Sequence, residues 1–179
     1  MDSTSAARAM NTPLAAGSAS PVRAYVGIGA NLGDAQAAVE NAFLAIDALP
    51  GTRVAERSSL FRTAPIDAGG DDYVNAVAAI DTRLPADELL LALQAIETEH
   101  GRLRPYPNAP RTLDLDILLY GQATSHTAQL TIPHPRLTQR AFALIPLLQV
   151  APLIMIPGHG PARAFAPGVA AQAIREITT

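Results

Sequence analysis

The order of hydrophobic periodicities along this chain predicts an α+β domain of the ferredoxin-like type. It is a β-α-β-β-α-β run forming an antiparallel sheet with both helices on one face, followed by a C-terminal extension. Two observations carry that reading. Apolar residues recur at helical spacing in two windows, Val39 to Leu49 and Leu89 to Ile96. The segments flanking those windows alternate with period two, or run apolar for the length of a strand. At 179 residues the chain is long enough for one domain with a full core.

The elements follow in order. Met1 to about Ser20 is rich in Ala, Ser and Thr and shows little periodicity. Residues 1–21 are therefore expected to be a disordered extension, and 22–179 a single folded domain. The basic start and apolar centre of a signal peptide are not seen. Ala24 to Gly29 reads as a buried strand. Asn31 to Asp34 is a turn, with Asp34 placed to cap a helix that buries Val39, Ala42, Phe43, Ile46 and Leu49. Pro50-Gly51 ends that helix. Arg53 to Arg62 reads as one long strand. Thr63 to Asp72 contains Pro, Gly-Gly and Asp-Asp and reads as a loop, long enough to suggest a functional one. Tyr73 to Thr82 is the next strand. Pro85 opens a second helix with Leu89, Leu90, Leu93 and Ile96 inward, and Gly101 stops it. A Pro-rich loop from Arg102 to Pro110 leads to another strand. The extension then holds a Pro-His-Pro turn at 133–135, a helix near Thr138 to Val150, a short strand at Leu153 to Ile156 and a C-terminal helix near Val169 to Ile177.

The strand after that Pro-rich loop carries the chemistry. In Pro110-Arg111-Thr112-Leu113-Asp114-Leu115-Asp116-Ile117-Leu118-Leu119, the two acids are two residues apart. Side chains alternate along a strand, so Asp114 and Asp116 share one face while Leu113, Leu115, Ile117 and Leu119 share the other. Carboxylates roughly 7 Å apart along a strand repel one another unless a cation lies between them. Oxygen ligands of this kind suit Mg²⁺, which is usually held by one or two carboxylates together with substrate phosphates. Arg111 just before the pair, and Arg102 and Arg104 in the preceding loop, are suited to phosphate oxygens.

Composition narrows the chemistry further. The chain has no cysteine, which excludes thiolate catalysis and Cys-ligated metal. It has no lysine either, since all 13 basic residues are arginine. That removes the P-loop lysine, the protein-kinase lysine and Schiff-base chemistry. Phosphate handling must therefore use arginine and metal. A net charge of −3 argues against a nucleic-acid partner, and no apolar run reaches membrane-spanning length. Gly27-x-Gly29-x-x-x-Gly33 has the wrong spacing for a dinucleotide loop and reads as a glycine-rich turn that lets backbone approach a ligand or a helix. The four histidines are too scattered for a zinc site. His134, held between prolines, has a ring N–H that could meet a phosphate. Tyr73 and Asn75 share a strand face and suit a heterocycle, the ring stacking and the amide pairing with its edge. Gln94 and Glu97 share a helix face.

The run Ala109 to Ile117 resembles the signature of the 6-hydroxymethyl-7,8-dihydropterin pyrophosphokinases, enzymes of folate biosynthesis. So do Gly29 to Asp34, Ser58 to Thr63, Asp72 to Asn75, Gly101 to Arg104, Ile132 to Arg136, and Arg140-x-Phe142, in that family's order. The resemblance covers about residues 23–160. It implies a ferredoxin-like α+β fold and transfer of the β,γ-diphosphate of ATP to the pterin hydroxymethyl group, releasing AMP. It implies two Mg²⁺ ions on Asp114 and Asp116, one bridging the α- and β-phosphates and the other the β- and γ-phosphates. Arg102, Arg111, Asp114 and Asp116 would be the catalytic residues. ATP would meet Gln94, Glu97, Arg102, Arg104, Arg111, Leu130, Thr131, His134 and Arg140. The pterin would meet Thr63, Ala64, Ile66, Tyr73, Asn75, Asn108 and Phe142. Asn108 replaces an aromatic residue found in some members, and Tyr106 is placed to supply the missing ring. Ala64 and Pro135 also depart from the pattern. A cytoplasmic monomer acting on small molecules, with no nucleic-acid or membrane partner, is expected. A non-catalytic ferredoxin-like binding module and a different Mg-dependent phosphoryl or nucleotidyl transferase are the alternatives.

Overall fold

The computed structural model describes residues 20–31, 33–64, 72–101 and 113–178. Ile66, Arg102, Arg104, Tyr106, Asn108 and Arg111, and nearly all of the expected N-terminal extension, lie outside them. β1 (Val22–Ala30) leads to α1 (Ala35–Asp47). The turn between them uses Gly33 at φ 58°. Asp34 caps α1 as expected, its carboxylate accepting the Ala37 N–H at 3.0 Å. β2 (Thr52–Arg57), β3 (Phe61–Thr63) and β4 (Tyr73–Thr82) follow, then α2 (Ala86–Gly101) and β5 (Leu113–Tyr120). Beyond these come the ribbon β6 (Ser125–His126) and β7 (Thr131–Ile132), a 3-10 turn at Leu137–Gln139, and α3 (Ala141–Val150). A second ribbon, β8 (Met155–Ile156) and β9 (Gly160–Pro161), precedes a 3-10 stretch at Ala162–Val169 and β10 (Ile174–Glu176).

The main sheet is antiparallel, in the order β10-β3-β4-β1-β5, with β2 also paired to β4. Two cores sandwich it. On one face Val26, Ile28, Ile80 and Ile117 pack with Ile46 of α1 and Leu89 and Leu93 of α2. On the other, Val77, Leu118 and Leu119 pack with Leu144 and Leu147 of α3. The two helices within the β-α-β-β-α-β run therefore share a face, as the periodicity implied, while the extension covers part of the second face.

Four expectations are corrected. The strand read as Arg53 to Arg62 is broken at 58–60, and its halves pair separately with the two ends of β4. The break is held by side chains: Ser58 Oγ accepts the Val77 N–H at 2.8 Å, and Gln149 Oε1 of α3 accepts the Ser59 N–H at 2.6 Å. Leu119 does not share a face with Leu113. A bulge between β1 and β5 inserts Leu118, which shifts the alternation and turns Leu119 toward α3. The C-terminal helix near 169–177 is instead the end of the 3-10 stretch, a turn at 170–172 and β10. The open edge of β3 offers Ile174–Glu176 backbone partners, and that pairing overrides the helical preference of the Ala-rich segment. Finally, the glycine-rich run read as a turn is only partly one: Gly27 and Gly29 lie inside β1, in the strand expected over Ala24 to Gly29, and Gly33 alone of the three has a turn's positive φ.

The far end of the sheet carries an ion-pair network. Asp81 of β4 accepts from Arg23 at 2.7 Å and from Arg53 at 3.0 Å. Hydrogen bonding to Arg23 is the main reason the Asp81 carboxyl is held below its usual 3.8. A lowered carboxyl stabilises the fold above its unfolded pKa, and the gain disappears as pH falls through the folded value. Arg53 is well exposed, so the contribution is about 1 kcal/mol. Asp81→Asn is expected to lower stability by that amount at pH 7 and to match the parent well below pH 3.8. Urea unfolding at the two pH values measures both.

Candidate functional site

Strand register assembles the site. Asp114 of β5 lies opposite Gly29 of β1, and Gly29 lies opposite Asn75 of β4. One step along, Asp116 faces Gly27 and Gly27 faces Val77. Strands are about 4.8 Å apart, so Asp114 and Asn75 stand roughly 10 Å apart across a floor without side chains. Two glycines at period two inside a central strand therefore create the depression. A Cβ on Gly29 would lie 2.8 Å from Asn75 Oδ1, and one on Gly27 would lie 3.3 Å from Leu118 Cδ2.

The resulting cavity has a volume of about 310 Å³. It is lined by Asp114 and Asp116 of β5, by Thr63, Ala64, Tyr73 and Asn75 across β1 from them, and by His134, Arg140 and Phe142. All nine are residues singled out in the sequence. The sequence reading did not place Gly27, Gly29, Ile28, Ala76, Leu118 and Ala143 in this wall. The signal was there for the glycines, as a G-x-G in one strand matching a D-x-D in its neighbour. Recognising it required the pairing of β1 with β5.

The two ends of the cavity differ in chemistry. Thr63 and Asn75 are buried, and the Asn75 Nδ2 amide donates to Thr63 Oγ1 at 2.6 Å. This pair sets the orientation of a polar amide beside the half-buried Tyr73 ring. At the other end, Asp114 and Asp116 are exposed on the cavity face of β5, whose opposite-facing Leu113, Leu115 and Ile117 are buried. Arg140 places its guanidinium 5.4 Å from the centre of the Phe142 ring, a cation–π distance. His134 Nδ1 accepts the Arg136 N–H at 3.2 Å, which leaves Nε2 as the protonated nitrogen of the neutral ring. Burial is the main reason the His134 pKa falls below 6.5; Asp116 raises it, and Arg140 and Arg136 lower it.

Four further expected residues lie away from this cavity wall. Glu97 Oε2 accepts the Leu115 N–H at 2.9 Å, so its carboxylate satisfies the outer edge of β5 directly beside the two aspartates. Gln94 is exposed one turn earlier on α2. Thr131 begins β7, and the Leu130 carbonyl accepts from the hydroxyls of Ser125 and Thr127. Among the described residues no group of three or more His, Cys, Asp or Glu could hold a metal ion. The pair of aspartates is the donor set the described residues offer. It fits a hard cation that takes its remaining ligands from phosphate oxygens and water.

Comparison with known proteins identifies the family and the fold. Residues 25–152 match the family model for 7,8-dihydro-6-hydroxymethylpterin-pyrophosphokinase. The chain is 43% identical over 136 residues to the 2-amino-4-hydroxy-6-hydroxymethyldihydropteridine pyrophosphokinase of Pseudomonas aeruginosa, covering 75% of this chain and 84% of the relative. It is 41% identical over 138 residues to the protein of the same name from Methylorubrum extorquens, covering 76% of this chain and 87% of the relative. A crystal structure of a Plasmodium falciparum HPPK-DHPS chain superposes with a TM-score of 0.66 at 13% identity, over 82% of this chain. This chain spans 45% of that longer one, so the likeness bears on fold alone. A cavity joining a buried amide to paired strand aspartates, on this sheet and with these relatives, has one conclusion: the chain belongs to the 7,8-dihydro-6-hydroxymethylpterin-pyrophosphokinase family.

Proposed function

We propose that this chain transfers the β,γ-diphosphate of ATP to the hydroxymethyl oxygen of 6-hydroxymethyl-7,8-dihydropterin, forming the pterin diphosphate and AMP in folate synthesis. The observation that carries the reading is the single cavity with an amide-and-ring end and a paired-carboxylate end. A flat heterocycle fits the first, where Asn75 and Thr63 would fix its edge and Tyr73 and Phe142 its faces. Asp114 and Asp116 would hold Mg²⁺, which supplies charge neutralisation at phosphoryl oxygens when bound. Arg140 and the Nε2–H of His134 would donate to the phosphates from beside the aspartates. Arg102, Arg104 and Arg111 are assigned the same task on the strength of the family pattern, and Ile66 and Asn108 a place beside the pterin.

Glu97 borders the outer edge of β5, with Gln94 one turn earlier on α2, Thr131 at the start of β7 and Leu130 just before it. ATP whose phosphates lie at the aspartates would reach its adenine over that edge. The pterin hydroxyl then attacks the β-phosphorus in line as the oxygen leading to the α-phosphate leaves. The hydroxyl proton passes to solvent or to a phosphate oxygen, since no described side chain is placed as its base. Catalysis rests on positioning and charge stabilisation. In the same reading, residues 22–179 are one catalytic domain of a cytoplasmic monomer with small-molecule partners and no nucleic-acid partner. No described helix is long and apolar enough to cross a membrane.

The nucleotide product tests the reaction. With ATP, Mg²⁺ and the pterin, AMP is expected to form in step with pterin diphosphate, and omission of the pterin or chelation of Mg²⁺ should stop both. ADP, free pyrophosphate or no turnover would rule the proposal out.

A further inference from the structure

The first turn of α3 is capped from outside its own segment. Arg140 occupies the N-cap position at φ −125° and ψ 115°, and its side chain makes no capping hydrogen bond. Short polar residues are favoured there because they satisfy the unpaired N–H groups of the first turn. An arginine does not do this. Gln172, thirty-two residues further on, does part of that work instead. Its Oε1 accepts the Ala141 N–H at 2.9 Å, and its Nε2 donates to the Gln139 carbonyl at 2.8 Å. One amide thus grips the backbone on both sides of Arg140.

Gln172 is itself tied down. Its N–H donates to the Val169 carbonyl at 3.0 Å. Two residues later the chain enters β10, where Ile174 pairs with Thr63. The Gln172 clamp therefore sits between the helix that bears Arg140 and Phe142 and the strand that bears Thr63, all three of which line the cavity.

We infer that Gln172 is a positioning residue for the phosphate-binding Arg140. By capping α3 in trans, it frees position 140 for a long cationic side chain and fixes the backbone from which that side chain reaches into the cavity. The inference rests on the proposed role of Arg140 toward ATP. It assigns the C-terminal segment a part in the reaction without contact to either substrate.

The test is a double-mutant cycle on the full chain, read as KM for ATP, KM for the pterin and kcat. Gln172→Leu removes both hydrogen bonds at similar volume and is expected to raise the ATP KM roughly fivefold, the scale of a lost cap, with a smaller rise in the pterin KM. In an Arg140→Ala background the same substitution should change the ATP KM no further. Gln172→Glu keeps the acceptor for the Ala141 N–H but loses the donor to Gln139, and runs through the same cycle if the leucine variant does not fold. An unchanged ATP KM, or an equal increase in both backgrounds, overturns the inference and leaves Gln172 a merely structural contact. Should Arg140→Ala alone leave the ATP KM unaltered, the role of Arg140 itself fails and the inference falls with it.

Discussion

Asp116→Ala is expected to slow diphosphate transfer by roughly 100- to 1000-fold while leaving the fold intact. Asp116 is exposed on the cavity face of an edge strand, and the hydrophobic packing of β5 comes from Leu113, Leu115 and Ile117 on the other side. Removing the carboxylate therefore takes away no core contact. It also relieves repulsion from Asp114 two residues away, so the thermal midpoint without metal should hold or rise slightly. Asp116→Asn retains the shape and should lose activity to a similar extent, because it is the charge that neutralises a cation among phosphates. Turnover assays paired with thermal unfolding decide the matter. Unchanged turnover in either variant would remove the proposed metal role.

Gly29→Ala is expected to do the reverse, damaging both packing and substrate binding with one methyl group. The added Cβ would lie 2.8 Å from Asn75 Oδ1. Asn75 cannot simply rotate away, since it is buried and its Nδ2 is bonded to Thr63 Oγ1 at 2.6 Å. The collision must displace the Asn75–Thr63 pair or push β1 from β4, at a cost of about 1–3 kcal/mol. Since that pair is the proposed edge-reader for the pterin, the pterin KM should rise by roughly tenfold or more, with a smaller change for ATP. Gly27→Ala provides the contrast. Its Cβ would meet the end of the Leu118 side chain at 3.3 Å, which can give way, so stability should be nearly unaffected. A Gly29→Ala protein with parental stability and parental pterin KM would show that the glycine floor does not position Asn75.

These expectations explain why some of the site was legible in the sequence and some was not. Asp114 and Asp116 could be placed on one face because alternation along a strand needs only local geometry. Tyr73 and Asn75 were paired for the same reason. The Asp34 cap followed from its residue type at a turn, and the buried residues of α1 and α2 from helical spacing. Local rules failed wherever a partner strand set the outcome. The bulge that turns Leu119 toward α3 depends on the register with β1. The break at 58–60 depends on Gln149 reaching from α3. The C-terminal segment ends in a strand, Ile174–Glu176, because β3 has an edge to fill.

Residue types and their spacing set the chemistry available: paired acids on one strand face, arginine as the cation for phosphate in a lysine-free chain, and a ring beside an amide. Periodicity also determined the ferredoxin-like order of elements, because each period is a property of a single segment. The tertiary structure alone decided which of these groups meet. Register placed two glycines between Asp114 and Asn75 and so opened a floor where side chains would otherwise stand. Folding the C-terminal segment back onto β3 brought Gln172 against the residues that flank Arg140. Both outcomes depend on contacts between residues far apart in the chain, and no local pattern encodes those distances.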